Sequence, residues 1–151
     1  MPDDRIHQTA MHLINEATTV GIYEFGVNAV IRNGNKVLVV RRKKEDVLGG
    51  KYEIPGGGLE KGERLEDGLK REVVEETGLR VKRIIAYLSQ FDINFGGRRR
   101  ARNFVFMVEV VPGKIRLTEH DDYAWIDHKQ LDYFSMSKEM LKVLKKVFAR
   151  T

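Results

Sequence analysis

Between Pro55 and Leu79 the chain reads PGGGLEKGERLEDGLKREVVEETGL, and its last part sets a problem that most helices avoid. Residues Arg64 to Thr77 read as a helix, closed by Gly78 at the C-terminal cap. Within it Glu72, Glu75 and Glu76 stand at helix-neighbour spacings, where like charges weaken an isolated helix by a few tenths of a kcal/mol per pair. At about 100° per residue from Leu65, Leu69 and Val73 fall near 40° and 80°, while Glu76, Glu72 and Glu75 fall near 20°, −20° and −80°. The acids thus form one stripe along the border of the apolar face, where partial desolvation strengthens their repulsion. The favourable pairs Glu66 with Lys70 and Asp67 with Arg71 fall on the far side. Apart from Arg71 beside Glu75, the stripe is left uncompensated, and a cation placed among the acids removes that cost.

The kind of cation follows from the donors. The chain has no cysteine, which excludes thiolate metal sites, disulfides and cysteine nucleophiles together. No histidine pair lies nearby, so an all-oxygen set fits a hard ion such as Mg²⁺ or Mn²⁺, which bridges carboxylates to substrate phosphates. Gly56, Gly57 and Gly58, just before the helix, let backbone come close to a ligand and turn a carbonyl or N–H toward it. A glycine-rich turn alone is mostly a turn, and a charged helix face is mostly solvated. Their combination at one place carries the functional reading.

The remaining sequence supplies a frame. Apolar positions Ile6, Ala10, Leu13, Ile14 and Ala17 repeat with a helical period over residues 5–18. YEFGVNAVIRNGNKVLVVRR gives two β-rich runs around Asn33-Gly34, a strong hairpin signal. A short strand in KYEI breaks at Pro55 into the three glycines and a loop. β-rich segments near 81–95 and 103–111 flank a loop GGRRRAR, and KIRLTE and YAWID are shorter strand candidates. Ser137 caps a last helix with Met140, Leu141, Leu144, Val147 and Phe148 on its buried stripe and a solvated face of Lys138, Lys142, Lys145 and Lys146. With 151 residues, this order predicts a mixed α/β (α+β) layered domain over 21–151, preceded by a helical extension over 1–20.

The segment Gly57 to Leu79 also fits GX5EX7REUXEEXGU at every specified position, U being a bulky aliphatic. A chance match is on the order of 10⁻⁹ per start position at ordinary residue frequencies. The chain is therefore identified as resembling the Nudix hydrolases, the MutT-like family, and the hairpin ahead, YEIPGG and EHDDYAWI look similar as well. The resemblance implies an α/β/α sandwich around a mixed sheet, a required divalent metal (Mg²⁺ or Mn²⁺), and cleavage of a nucleoside diphosphate linked to another group. It implies Glu72, Glu75 and Glu76 as metal-ligand acids, with the Gly56 carbonyl as a backbone ligand. It gives Arg71 the orienting of a catalytic glutamate, and Glu63, with Gly57 and Gly78, the shape of the loop and helix. The general base is Glu72, Glu76 or an acid outside the signature, for which Glu119 in TEHDDYAW is the candidate, ahead of His120, Asp121 and Asp122.

For the substrate, Arg41, Arg42, Arg98 and Phe95, with Tyr23, are the candidates outside the signature, although Arg98, Arg99, Arg100 and Arg102 also read as a solvated turn, and Trp125 reads as core. Relatives specialised for ADP-ribose tend to carry a proline after the signature, and none lies between Gly78 and Pro112. By elimination the expected substrate is a nucleoside triphosphate, cleaved to monophosphate and pyrophosphate. Dinucleoside polyphosphates, nucleotide sugars and a non-catalytic nucleotide-sensing module are the alternatives. The net charge of +5 allows nucleic acid as a partner, but the most acidic segment sits at the centre of the chain, so no specific nucleic-acid role is expected. MPDDRIHQ lacks the form of an export signal, and FVFMVEVV is too short to span a bilayer, so a cytoplasmic monomer or homodimer is expected.

Overall fold

A computed structural model describes residues 2–150. Helix α1 (Pro2–Thr19) leads into strands β1 (Glu24–Asn33), β2 (Lys36–Arg42), β3 (Tyr52–Glu53) and β4 (Gly56–Gly58). Helix α2 (Leu65–Thr77), the long strands β5 (Val81–Gly96) and β6 (Arg99–Val110), β7 (His120–Ile126), a 3-10 helix (His128–Tyr133) and α3 (Lys138–Ala149) follow. The sheet runs β3-β2-β1-β6-β5, with β4 paired to β1 and β7 to β2. It is mixed: β1 and β6 run parallel from Glu24↔Ala101 to Ile31↔Val108, and the other pairs are antiparallel.

The sheet is covered on both sides, which is why β1 reads as a nearly continuous apolar run. Val27, Ala29 and Ile31, with Phe104, Phe106 and Val108, pack beneath Ala10, Leu13 and Ala17 of α1 and Leu65, Leu69 and Val73 of α2. The alternate residues Val30 and Val105 face Met140, Val143, Leu144 and Val147 of α3. Fully burying one such side chain stabilises by about 1.5–3 kcal/mol, so Val73→Asp would unseat α2. The α/β/α layering agrees with expectation, and Val143 joins the predicted stripe of α3, whose Ser137 hydroxyl accepts the Met140 N–H at 3.1 Å.

Four local readings change. The hairpin turn centres on Gly34-Asn35, because Asn33 pairs with Lys36, and β1 leaves β2 immediately to pair with β4 instead. The three glycines are strand β4 rather than loop: a Cβ on Gly56 would collide with the Val27 carbonyl, and one on Gly57 with the Glu72 carboxylate. GGRRRAR is mostly strand, closed by a two-residue turn at Gly97-Arg98, since Arg102 pairs with Asp92 directly across the ladder (2.8 Å) and Arg99 reaches Glu24 (2.9 Å). KIRLTE forms no strand; its Arg116 N–H and Thr118 hydroxyl instead cap the end of α2 at the carbonyls of Thr77 (2.8 Å) and Glu75 (3.1 Å).

Candidate active site

The geometry begins with the phase of α2. Glu76 shares the apolar face and is 4% exposed, whereas the Glu72 and Glu75 side chains are 12% and 55% exposed, in the order their helical angles require. A carboxylate so deeply placed needs partners. The Gly56 N–H donates to Glu76 Oε1 at 2.9 Å, and Glu76 Oε2 lies 3.4 Å from Nδ1 of the buried His120. On the other side of the imidazole, Nε2 is 3.0 Å from Glu53 Oε2.

Arg71 organises the more exposed acids. Its guanidinium donates to both Glu63 oxygens at 2.8 Å, to Glu72 Oε1 at 2.8 Å, to Glu75 Oε2 at 3.1 Å and to the Gly58 carbonyl at 3.1 Å. Sequence spacing offers Asp67 and Glu75 as helix partners; Arg71 keeps Glu75, and in place of Asp67 the loop before α2 folds back and brings Glu63. Glu66 likewise turns from Lys70 to Arg64 (2.7 Å) and to His7 Nδ1 (2.8 Å), which fixes α1 against the start of α2. Gly78 closes the helix at φ 74°, donating to the Val74 carbonyl at 2.9 Å.

These contacts set the protonation of the site. The Arg71 guanidinium holds the Glu63 carboxyl down at about 2. Burial pushes Glu72 up, opposed by Arg71 and reinforced by the charges of Glu75 and Glu119. Burial pushes Glu76 up more strongly, against the Gly56 N–H and the charge of His120. Burial lowers the His120 pKa, but the carboxylates of Glu53 and Glu76 outweigh it and hold the imidazole above its ordinary value. Glu76 and His120 therefore keep a proton between them that a free carboxylate and imidazole would release.

A donor atom from each of Glu53, Glu76 and His120 lies within 4.8 Å of the others, so the buried carboxylate has companions suited to a metal ion. The sequence does not single out Glu53. Its only signal there is a lone acid between Tyr52 and Ile54, and strand pairing rather than spacing brings it to α2. Glu119 is exposed just before β7, near enough for its charge to act on Glu72.

A cavity of about 830 Å³, within the range of ligand sites, is lined by the glycine strand and the loop before α2, with Glu72, Glu75 and Glu76 outside its lining. Gly57, Gly58 and Glu63 form its edge toward α2; Tyr23, Phe25, Ile93, Phe95 and Asn103 line the sheet side, and Met11 and Ile14 of α1 the other. Phe95 lines the cavity, with the Arg99 guanidinium 4.5 Å from its ring centroid. Arg98 is exposed at the hairpin tip outside the lining. Arg41 and Arg42 are also outside it, occupied by Asp121 (2.7 Å) and Glu53 (3.4 Å). Trp125 packs partly buried against the core. No helix among the described residues is long and apolar enough to cross a membrane.

Comparison with known proteins agrees with the fold. Residues 23–149 match the NUDIX domain model. The chain is 31% identical over 113 residues to an ADP-ribose pyrophosphatase of Methanocaldococcus jannaschii, covering 74% of this chain but 61% of that protein. It is 28% identical over 127 residues to the nucleoside triphosphatase NudI of Escherichia coli, covering 77% and 90% of the two chains. The crystal structure of a MutT protein from Methanosarcina mazei Go1 superposes with a TM-score of 0.72 at 26% identity, covering 85% of this chain and 94% of that one. The signature on α2, the layered fold and the family match converge: the chain belongs to the NUDIX family.

Proposed function

We propose that this chain is a metal-dependent hydrolase that opens the diphosphate bridge of a nucleotide, with a nucleoside triphosphate cleaved to monophosphate and pyrophosphate as its preferred reaction. The observation that carries the reading is Glu76: a carboxylate buried on the core face of α2, one helical turn from Glu72 and bound to Gly56 of the glycine strand, whose Gly57 and Gly58 line the cavity. Burying a charge there costs stability unless a cation is to be held.

Glu72, Glu75 and Glu76, with the Gly56 carbonyl, are the proposed ligands of Mg²⁺ or Mn²⁺. A divalent ion held by these residues would neutralise phosphate charge and lower the pKa of a water so that, once deprotonated, it could attack phosphorus. Arg71 fixes Glu72 through a guanidinium that Glu63 holds from behind. Glu119, engaged by no ion pair among the described residues, is the proposed acceptor of the water proton. Phe95 and Tyr23 offer aromatic surface to a base within the cavity. The triphosphate preference is supported by the absence of proline between Gly78 and Pro112 and by similarity to a protein named as a nucleoside triphosphatase.

A metal-dependent screen of nucleoside triphosphates, dinucleoside polyphosphates, ADP-ribose and nucleotide sugars, with product identification, tests the proposal. Monophosphate and pyrophosphate from a triphosphate are the expected products. AMP and ribose 5-phosphate from ADP-ribose as the best reaction would replace the substrate and keep the chemistry. Activity that is unaffected by Glu76→Gln would remove the assignment altogether.

A further inference from the structure

We infer that His120 is a metal ligand, sharing a divalent ion with Glu76, and that Glu53 acts behind it to orient the ring. The inference rests on the reading that Glu76 holds metal and adds a nitrogen donor to what the signature supplies.

The His120 side chain is 4% exposed, yet Nδ1 has no hydrogen-bond partner among the described residues. A buried, unpartnered polar atom needs a physical reason. Nε2 lies 3.0 Å from Glu53 Oε2, and an ionised carboxylate only accepts, so Nε2 carries the proton of this contact. In the neutral ring Nδ1 is then a bare lone pair. It points toward a second set of lone pairs, those of Glu76 Oε2, 3.4 Å away. Two acceptors facing each other inside a protein repel unless something positive sits between them, a proton while the site is metal-free and a metal ion in the proton's place when one binds.

The spacing fits an ion. Metal–donor bonds of about 2.0–2.2 Å place neighbouring ligands about 3.0–3.5 Å apart, and 3.4 Å falls in that interval. Glu53 completes the arrangement in which a carboxylate accepts the far N–H of a ligating histidine, fixing its tautomer and raising its basicity. Arg42, 3.4 Å from Glu53, neutralises that carboxylate from the other side. An imidazole donor selects ions that accept nitrogen, so Mn²⁺ and its heavier neighbours bind this position in preference to Mg²⁺.

Electron spin-echo envelope modulation of Mn²⁺ added to the full chain reads the bond directly. The wild-type protein is expected to show ¹⁴N modulation from coordinated imidazole, replaced by the ¹⁵N pattern when the histidines are ¹⁵N-labelled. Labelling changes no contact, so the result does not depend on a variant folding. His120→Leu should abolish the modulation and narrow the preference for Mn²⁺ over Mg²⁺. Glu53→Gln, which keeps an acceptor for Nε2–H, should weaken Mn²⁺ binding about 10- to 100-fold. Bound Mn²⁺ with no nitrogen modulation in the wild type would overturn the inference and leave His120 as a holder of a proton. Since hydrolysis is assayed separately, loss of activity in Glu76→Gln alongside that result would sink this inference alone and leave the proposed function standing.

Discussion

Helices α2 and α3 both carry a run of like charge, and they differ in where the run sits relative to the apolar stripe. In α3 the lysines 138, 142, 145 and 146 are all exposed, while Met140, Val143, Leu144 and Val147 take the buried side. In α2 the acids begin inside the buried side, with Glu76 at 4% exposure, and step outward through Glu72 to Glu75. Charges facing water repel weakly because solvent screens them. Charges set into a core face require specific partners, and α2 recruits Arg71, the Gly56 N–H and His120 to supply them. Phase, more than number of charges, separates a functional helix face from a solvated one.

The contrast breaks first at Glu76. Glu76→Gln keeps an acceptor for the Gly56 N–H and removes the charge, so kcat/KM should fall about 10³-fold while the metal-free melting temperature does not drop; steady-state kinetics and calorimetry read the two. Metal binding should separate the helices next. Mg²⁺ at 100 times its Kd should stabilise the wild type by about 2.7 kcal/mol over EDTA-treated protein, and Glu76→Gln should forfeit that gain at the same concentration.

Arg71→Ala strips the guanidinium from Glu63 and Glu72 together, and urea unfolding should show a loss of about 2 kcal/mol. A pH series sharpens the same point. The Glu63 carboxyl sits at about 2 when folded, below the ordinary value near 4.3, so its contribution is full above that ordinary value and disappears as pH falls through about 2. Glu63→Gln should therefore flatten the acid limb of stability against pH. The smallest effect belongs to α3: Lys142→Gln with Lys145→Gln should change stability by less than about 0.5 kcal/mol and leave turnover unaltered.

Much of this contrast is visible in the sequence, because helical phase is a local property. The helical angles put Glu72, Glu75 and Glu76 on the border of the apolar face, where the structure sets Glu76 deepest, and the spacing of Met140, Leu144 and Val147 predicts the stripe of α3. Local rules fail where long-range pairing decides. The glycines 56–58 read as loop because glycine carries no strand propensity, yet the opposing edge of β1 makes them a strand. GGRRRAR reads as a loop for want of apolar alternation, and the charges of Glu24, distant in sequence, and of Asp92, across the hairpin, extend the ladder through it.

The sequence by itself determined the signature, the acid stripe and the glycines beside it, since all depend on spacings within one stretch of chain. Only the tertiary structure decided who answers those acids. Glu53 on β3 and His120 at the start of β7 reach Glu76 because both strands flank β2, and Glu63 reaches Arg71 because the loop folds back over α2. The cavity likewise needs α1 held against Glu66 by His7. Contacts between residues far apart in sequence depend on how the layers close, and no period along the chain encodes them.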